Sequence, residues 1–361
     1  MKQFCDVYRG KRVLVTGHTG FKGSWLCLWL NQLGAEVVGI SLAPETQLNH
    51  WNLLDLESTV QHHALDIRHS AEVASTLKAI RPEVVFHLAA QPLVRRSYRD
   101  PLDTWSTNLM GTANVLEACR QTSAVRAIVV VTTDKCYENQ ERSLGYREGD
   151  RLGGHDPYSA SKAGSELVAA SYRSAFFHND GAPLLATARA GNVIGGGDWS
   201  EDRLVPDLVR AIAARQSLEI RSPHATRPWQ HVLESLSGYL FLGQKLIEGD
   251  KNFNGAWNFG PEHNGNCTVA DVLNTLKTNW PEMQWHQTHS PQPHEANLLF
   301  LDITKARSQL GWSPVWDLDA TLGKTADWYR IFLESNTTIS AKQLSQYVEA
   351  AKNAQAGWVS A

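Results

Sequence analysis

The sequence predicts an α/β protein, a doubly wound parallel sheet with a smaller mixed α/β part toward the C-terminus. Three observations predict it. Through the first half of the 361 residues, short β-branched runs alternate with longer helical patterns. A glycine-rich turn joins the first run directly to the first helix. After about Arg189 the rhythm changes to shorter helices among clustered glycines, prolines and tryptophans.

Each element has its own signal. Apolar runs at Arg12–Thr16, Glu36–Ile40, Glu83–Leu88, Ala127–Thr132 and Leu184–Ala188 suit strands covered on both faces. Helical stretches are expected between them at Gly20–Leu33, Ser70–Ile80, Thr104–Thr122 and Tyr158–Ser174. Strand–helix alternation with right-handed crossovers makes the sheet parallel. Further helices are expected at Val205–Arg215, Val232–Ile247 and Val269–Thr278. The length corresponds to about two domains. The division expected is 1–189 for a nucleotide-binding half, to which segments near 230–260 return, 190–340 mainly for a substrate-binding half, and 341–361 for an amphipathic tail. A ligand cleft belongs between the halves.

Composition narrows the function classes. Hydrophobic residues at 42% and charged residues at 20% exclude intrinsic disorder. A formal charge of -3 argues against a globally basic nucleic-acid binder. Cys5, Cys27, Cys119, Cys136 and Cys267 contain no CxxC pair, so neither a disulfide framework nor a structural zinc site is expected. His62-His63 has no partner at ligand spacing, and no metal is expected. The most apolar stretch, Gly23 to Pro44, is interrupted by Asn31, Gln32, Gly34 and Glu36 and reads as helix then strand, not a membrane span. A soluble cytoplasmic protein is the expectation.

Three constellations carry chemistry. Gly17-His18-Thr19-Gly20-Phe21-Lys22-Gly23 follows a strand and opens a helix, the context a nucleotide diphosphate needs. Gly17 permits the tight turn, Gly20 lets the phosphates approach, Gly23 lets the helix pack close, and the helix N-terminus offers free N–H groups. The second strand ends in Ser41, where dinucleotide sites usually place an acid for the ribose, and no Arg beside it suits a 2′-phosphate, so NAD is preferred to NADP. Asp66-Ile67 could contact adenine, against the plainer reading of Asp66 as a helix cap. Next, Thr133-Asp134-Lys135 gathers a hydroxyl, a carboxyl and an amine at a strand's C-terminal end, the ligand edge of such sheets. Finally, Tyr158 and Lys162 stand at i and i+4 on one helical face. A nearby ammonium, together with a positive nicotinamide ring, favours the phenolate and makes the phenol a base near neutral pH.

These motifs, with Leu88-Ala89-Ala90-Gln91 and Tyr158-Ser159-Ala160-Ser161-Lys162 in this order, resemble the extended short-chain dehydrogenases/reductases, which are built on a Rossmann-type sheet. The resemblance spans about Gly10 to Tyr329. Thr-Asp-Lys at the strand end together with Arg189-Ala190-Gly191-Asn192-Val193-Ile194-Gly195-Gly196-Gly197-Asp198-Trp199 is similar to the sugar-nucleotide 4,6-dehydratases that act on CDP-glucose, for deoxysugars of bacterial surface polysaccharides. The resemblance implies NAD as cofactor, contacted by Gly17, Thr19, Gly20, Phe21, Lys22, Gly23, Asp66, Ile67, Ala89, Ala90 and Gln91 as well as Tyr158 and Lys162. It implies that Tyr158, assisted by Lys162 and Thr133, removes the 4-hydroxyl proton. Asp134 protonates the departing C6 oxygen, and hydride taken from C4 returns to C6. Lys135 stands where relatives carry a Glu as the C5 base; it is either that base or a charge that orients Asp134. Asn192, Arg203, Arg227 and Glu295 match residues that hold the nucleotide sugar. The family's four-helix interface, made by Thr104–Thr122 and Tyr158–Ser174 of two subunits, implies a homodimer or a homotetramer. Two other functions share parts of these motifs: a sugar-nucleotide 4-epimerase, which has no use for Asp134–Lys135, and an NAD-binding regulator without turnover.

Overall fold

The computed structural model describes residues 2–262, 265–288 and 298–360. Seven strands build the main sheet: β1 (Arg12–Thr16), β2 (Glu36–Ser41), β3 (Gln61–Ala64), β4 (Val84–His87), β5 (Ala127–Val131), β6 (Leu184–Ala190) and, much later in the chain, β10 (Gly255–Phe259). Their spatial order is β3-β2-β1-β4-β5-β6-β10, with every neighbouring pair parallel. The chain reverses its direction of growth between β1 and β4, which opens a crevice at the strands' C-terminal ends.

Period-two alternation divides each strand between two cores. Val13, Val15, Phe86, Val129 and Ala186 face one side, where α1 (Phe21–Gln32) and α6 (Val232–Ile247) pack. Leu14, Val38, Val85, Ile128 and Leu185 face the other. There α2 (Ser70–Ile80), α3 (Gly111–Arg120) and α4 (Pro157–Ala175) cover them. Pro101 at its first position starts the helical run that becomes α3, and a π turn at Ser106–Met110 interrupts that run. The sequence pattern anticipates this stretch as one regular helix and does not show the π turn.

The smaller part has two short sheets. In one, β7 (Asn192–Ile194) pairs parallel with β9 (Thr226–His231), which pairs antiparallel with β11 (Asn266–Thr268). In the other, β8 (Leu218–Ile220) pairs with β12 (Trp285–Gln287). Helices α5 (Leu204–Ala213) and α7 (Val269–Asn279) belong to this part, and a capping box of Thr268 and Asp271 starts α7. The last helices are α8 (Leu318–Ser335), which packs on α7 and β9, and α9 (Ser340–Asn353), which packs on α1. The tail is integral to the main core: Trp358 stacks on Phe4 at 5.0 Å between ring centroids, and Tyr347 donates to the buried Glu234 at 2.7 Å. Among the described residues no helix is long and apolar enough to cross a membrane.

Candidate active site

A cleft of about 920 Å³ runs along the crevice and is walled by both parts of the chain. Its floor is the glycine loop between β1 and α1. Gly17 adopts φ +74°, and a Cβ there would stand 2.7 Å from the Ala89 nitrogen. A Cβ on Gly23 would stand 2.1 Å from the Gly17 carbonyl oxygen. Only glycine lets α1 seat this close behind the turn. Gly20 caps α1 without any side-chain hydrogen bond, so the first-turn N–H groups remain open toward the cleft. That is a ready seat for a diphosphate. Phe21 and Lys22 of this turn line the cleft. Lys22 Nζ lies 3.5 Å from the Tyr239 hydroxyl, and burial, followed by the charges of Arg203 and Lys162, lowers its ammonium to about 7.

β2 ends in Ser41, and the carboxylate farther along this wall, Glu45, pairs with Arg96 at 2.7 Å. Thr19 Oγ1 hydrogen-bonds Ser41 Oγ at 2.8 Å and donates to the Leu42 carbonyl at 2.9 Å. Asp66 does not cap α2, whose N-cap is His69. Its carboxylate instead accepts from the backbone and guanidinium of Arg68, which also pairs with Asp103 at 2.6 Å. Ile67 is buried in the space left by Gly111, and Asn114 donates to its carbonyl at 2.9 Å. Ala89, Ala90 and Gln91 line the cleft, but the Gln91 side chain turns inward to Leu93 and Thr104. Asn108, within the π turn, ties the Gln91 backbone to Ser161 of α4. Asn108 so joins the Ala89–Gln91 wall of the cleft to α4, a role the sequence pattern does not signal.

At the exit of β5, Thr133 Oγ1 donates to Asp134 Oδ1 at 2.9 Å. Asp134 is 2% exposed and its Oδ2 has no hydrogen-bond partner. Burial raises the carboxyl above its ordinary range, although Lys135 and Thr133 act against this. Lys135 is half-buried beside it at the cleft wall. Tyr158 opens α4 after the Asp156 cap, and Pro157 at the first helical position fixes the entry. Burial pushes the Tyr158 phenol up to about 12 despite a hydrogen bond with Thr133 and the charge of Arg203. In the free protein Lys162 donates to the Val131 carbonyl at 3.3 Å, and burial lowers it to about 8. Burial thus shifts each group toward its neutral form in the free protein.

Behind these groups lies a buried ion pair. Glu166, one further turn along the Tyr158–Lys162 stripe, meets Arg189 of β6 at 2.8 Å. It also accepts from Thr132 and Thr187. Arg189 continues to the Tyr137 hydroxyl at 2.7 Å. The spacing of four residues from Lys162 is the one signal of Glu166 in the sequence.

On the opposite wall, Asn192 lines the cleft and is in register with Trp229 across β7 and β9. Arg203 lies near Tyr158 and pairs with the buried Asp198 at 2.9 Å. Arg227 is buried, and its charge reaches Asp134. Glu295 lies outside the described residues. Trp199 and Trp229 are core residues that also border the cleft. His18, within the glycine loop, bonds His62 at 2.8 Å, and burial lowers it to about 4.

A family model described as GDP-mannose 4,6 dehydratase matches residues 14–325. A CDP-glucose 4,6-dehydratase of Salmonella typhimurium is 44% identical over 355 residues, which cover 96% of this chain and 98% of that protein. Among solved structures, a UDP-glucuronic acid 4-epimerase from Bacillus cereus in complex with UDP-glucuronic acid and NAD superposes with a TM-score of 0.76 at 25% identity, covering 88% of this chain and 99% of that one. A UDP-glucose-4-epimerase from Stenotrophomonas maltophila with bound NAD has a TM-score of 0.78 at 21% identity, covering 90% and 99%. The last likeness concerns the fold alone.

Proposed function

The chain belongs to the GDP-mannose 4,6-dehydratase family, within the extended short-chain dehydrogenases/reductases, and from that membership we propose that it is a CDP-glucose 4,6-dehydratase. It removes water from CDP-glucose to leave CDP-4-dehydro-6-deoxyglucose. The observation that carries the reaction class is Asp134: a buried carboxyl, raised above its ordinary range, with Oδ2 unpartnered next to Tyr158 and Thr133. A carboxylic acid kept neutral in such a pocket can protonate a departing hydroxyl. A 4-epimerase cleaves no C–O bond and has no task for it.

The residues divide the work as follows. Tyr158 takes the proton of the 4-hydroxyl, and Thr133 hydrogen-bonds the same oxygen. Once C4 is a ketone, the proton on C5 is acidic, and Lys135 removes it. The C6–O bond then breaks, Asp134 supplies the proton with which that oxygen leaves as water, and Lys135 returns a proton to C5 as C6 is reduced. NAD, when bound, supplies the hydride acceptor for C4, the hydride donor for C6, and a positive ring near Tyr158. The open N-terminus of α1, with Phe21 and Lys22, fits its diphosphate; Thr19, Asp66, Ile67, Ala89 and Ala90 wall its adenosine half. Arg227 and Asn192 hold the sugar nucleotide's diphosphate, and Arg203, braced by Asp198, closes that side of the pocket. Guanidinium forks suit phosphate oxygens.

The exposed Leu102, Trp105 and Met110 before α3, and Leu167 and Phe176 on or next to α4, form the apolar surface for a homodimer. Among the described residues no disulfide joins any of the five cysteines, which suits a reducing cytoplasm. Incubation with CDP-, dTDP- and GDP-sugars, followed by the alkali-sensitive absorbance of a 4-keto-6-deoxy sugar, tests the assignment. Product from CDP-glucose supports it; product from dTDP-glucose alone overturns the CDP part. For Lys135→Met, loss of solvent exchange at C5 supports the base role, and unchanged exchange eliminates it.

A further inference from the structure

The cleft extends past the catalytic groups into a compartment between α5 and β8. Val205 and Pro206 form one apolar wall and Ile220 another. The residue after β8 is Arg221. Its Nη1 atom is buried and makes no hydrogen bond. The neighbouring carboxylate oxygen, Asp202 Oδ1, stands 3.8 Å away and is held instead by Arg95 at 2.8 Å. Asp207, on α5, also feels both: burial raises its carboxyl, Asp202 raises it further and Arg221 lowers it. A buried guanidinium N–H without an acceptor is costly, so this one is poised for an acceptor that a ligand brings. Arg203 and Arg227 act at the diphosphate and sugar, where their charges reach Tyr158 and Asp134. Arg221, just past β8, is left for the far end of the nucleotide.

On the reading that the substrate is a sugar nucleotide, we infer that Arg221 and Asp202 form the site that reads the nucleobase and selects cytosine over uracil and thymine. The chemistry is a matching of edges. Cytosine presents two acceptors, O2 and N3, followed by a donor, its 4-amino group. A guanidinium fork followed by a carboxylate presents the complement. Uracil and thymine present N3–H to the fork and O4 to the carboxylate, so both contacts turn repulsive. The apolar residues Pro206 and Ile220 complete a slot for the ring.

The test is calorimetric titration of the full-length protein with CDP, UDP and dTDP at one salt concentration. Wild type binds CDP about tenfold or more tightly than UDP, as one bidentate base contact provides. Arg221→Lys keeps the charge and loses the fork, so CDP binding weakens about tenfold while UDP changes little. Asp202→Asn offers O4 a donor and raises UDP relative to CDP. Equal weakening of CDP and UDP in Arg221→Lys overturns the inference, because a charge acting on the diphosphate gives that result. An unchanged CDP/UDP ratio in both variants, or no preference in wild type, overturns it as well. Product formation from CDP-glucose is followed in parallel on wild type. CDP-selective binding without product sinks the dehydratase reading and leaves the nucleobase site standing.

Discussion

Glu166 is the residue whose removal has the most predictable cost. It is 3% exposed, and its carboxylate meets Arg189, which is equally buried, with Thr132 and Thr187 as further donors. Burial alone raises the Glu166 carboxyl, but Arg189 and the hydroxyl donors outweigh it and hold it below its ordinary value. Glu166→Ala leaves a guanidinium buried with no counter-charge, a change that costs about 3–5 kcal/mol. Typical total stability is about 5–15 kcal/mol, so the loss is a large fraction of the whole. Glu166→Gln keeps shape and one acceptor and costs about 1.5–3 kcal/mol, the range for a charged hydrogen bond. The double variant Glu166→Leu/Arg189→Met removes both charges, and its cost falls well below the sum of the single changes. Urea-unfolding midpoints at pH 7, read by far-UV circular dichroism, measure all of these. Because the folded pKa is depressed, the contribution is complete above the unfolded value of about 4.5 and is lost as pH falls through the lower folded one. A Glu166→Ala midpoint equal to wild type, or a double variant as costly as the sum, refutes the reasoning.

Glu234 behaves oppositely. Burial raises it to about 7, although the backbone N–H groups of Trp316 and Val315 donate to it. The folded protein retains a proton that the unfolded chain releases near pH 4.5, so this group's contribution declines from about pH 4.5 to 7 and is flat above. Glu234→Gln therefore removes a downward slope from the difference in midpoints between pH 5 and 8; parallel curves for the two proteins contradict the assignment. Gly17→Ala meets the Ala89 nitrogen at 2.7 Å in a left-handed backbone, so NAD binding by titration falls more than tenfold while CDP still binds. Wild-type NAD affinity in that variant contradicts the loop's role. Tyr158→Phe lowers kcat by about 10²–10⁴ with little change in CDP binding; a fall in binding with kcat retained places Tyr158 in a binding role instead.

What the sequence discloses follows from what is local. The step from β1 through the glycine loop into α1 is read from adjacent residues, because the turn, the open helix N-terminus and the close packing each demand a residue type within seven positions. The same holds for the exit of β5 and the first turn of α4. Contacts made across the chain are hidden. β10 joins the sheet beside β6, about 65 residues after β6 ends, and nothing in Gly255–Phe259 names its neighbour. The edge strand β3 is mostly polar (Gln61, His62 and His63) and lacks the apolar signal of its neighbours. Asn108 acquires its role from a π turn that a regular helical periodicity conceals. The Asp202–Arg221 pair is made by two separate loops. The protonation state of Tyr158 depends on burial, which the i, i+4 spacing with Lys162 does not report.

The most direct test of the reaction is to place deuterium on C4 of the glucose in CDP-glucose and examine the product by NMR and mass spectrometry. Internal hydride transfer predicts a 4-keto product whose C6 methyl group carries that deuterium. A C4 epimer with the label still on C4, or a 4-keto product whose methyl hydrogens all come from solvent, contradicts the account.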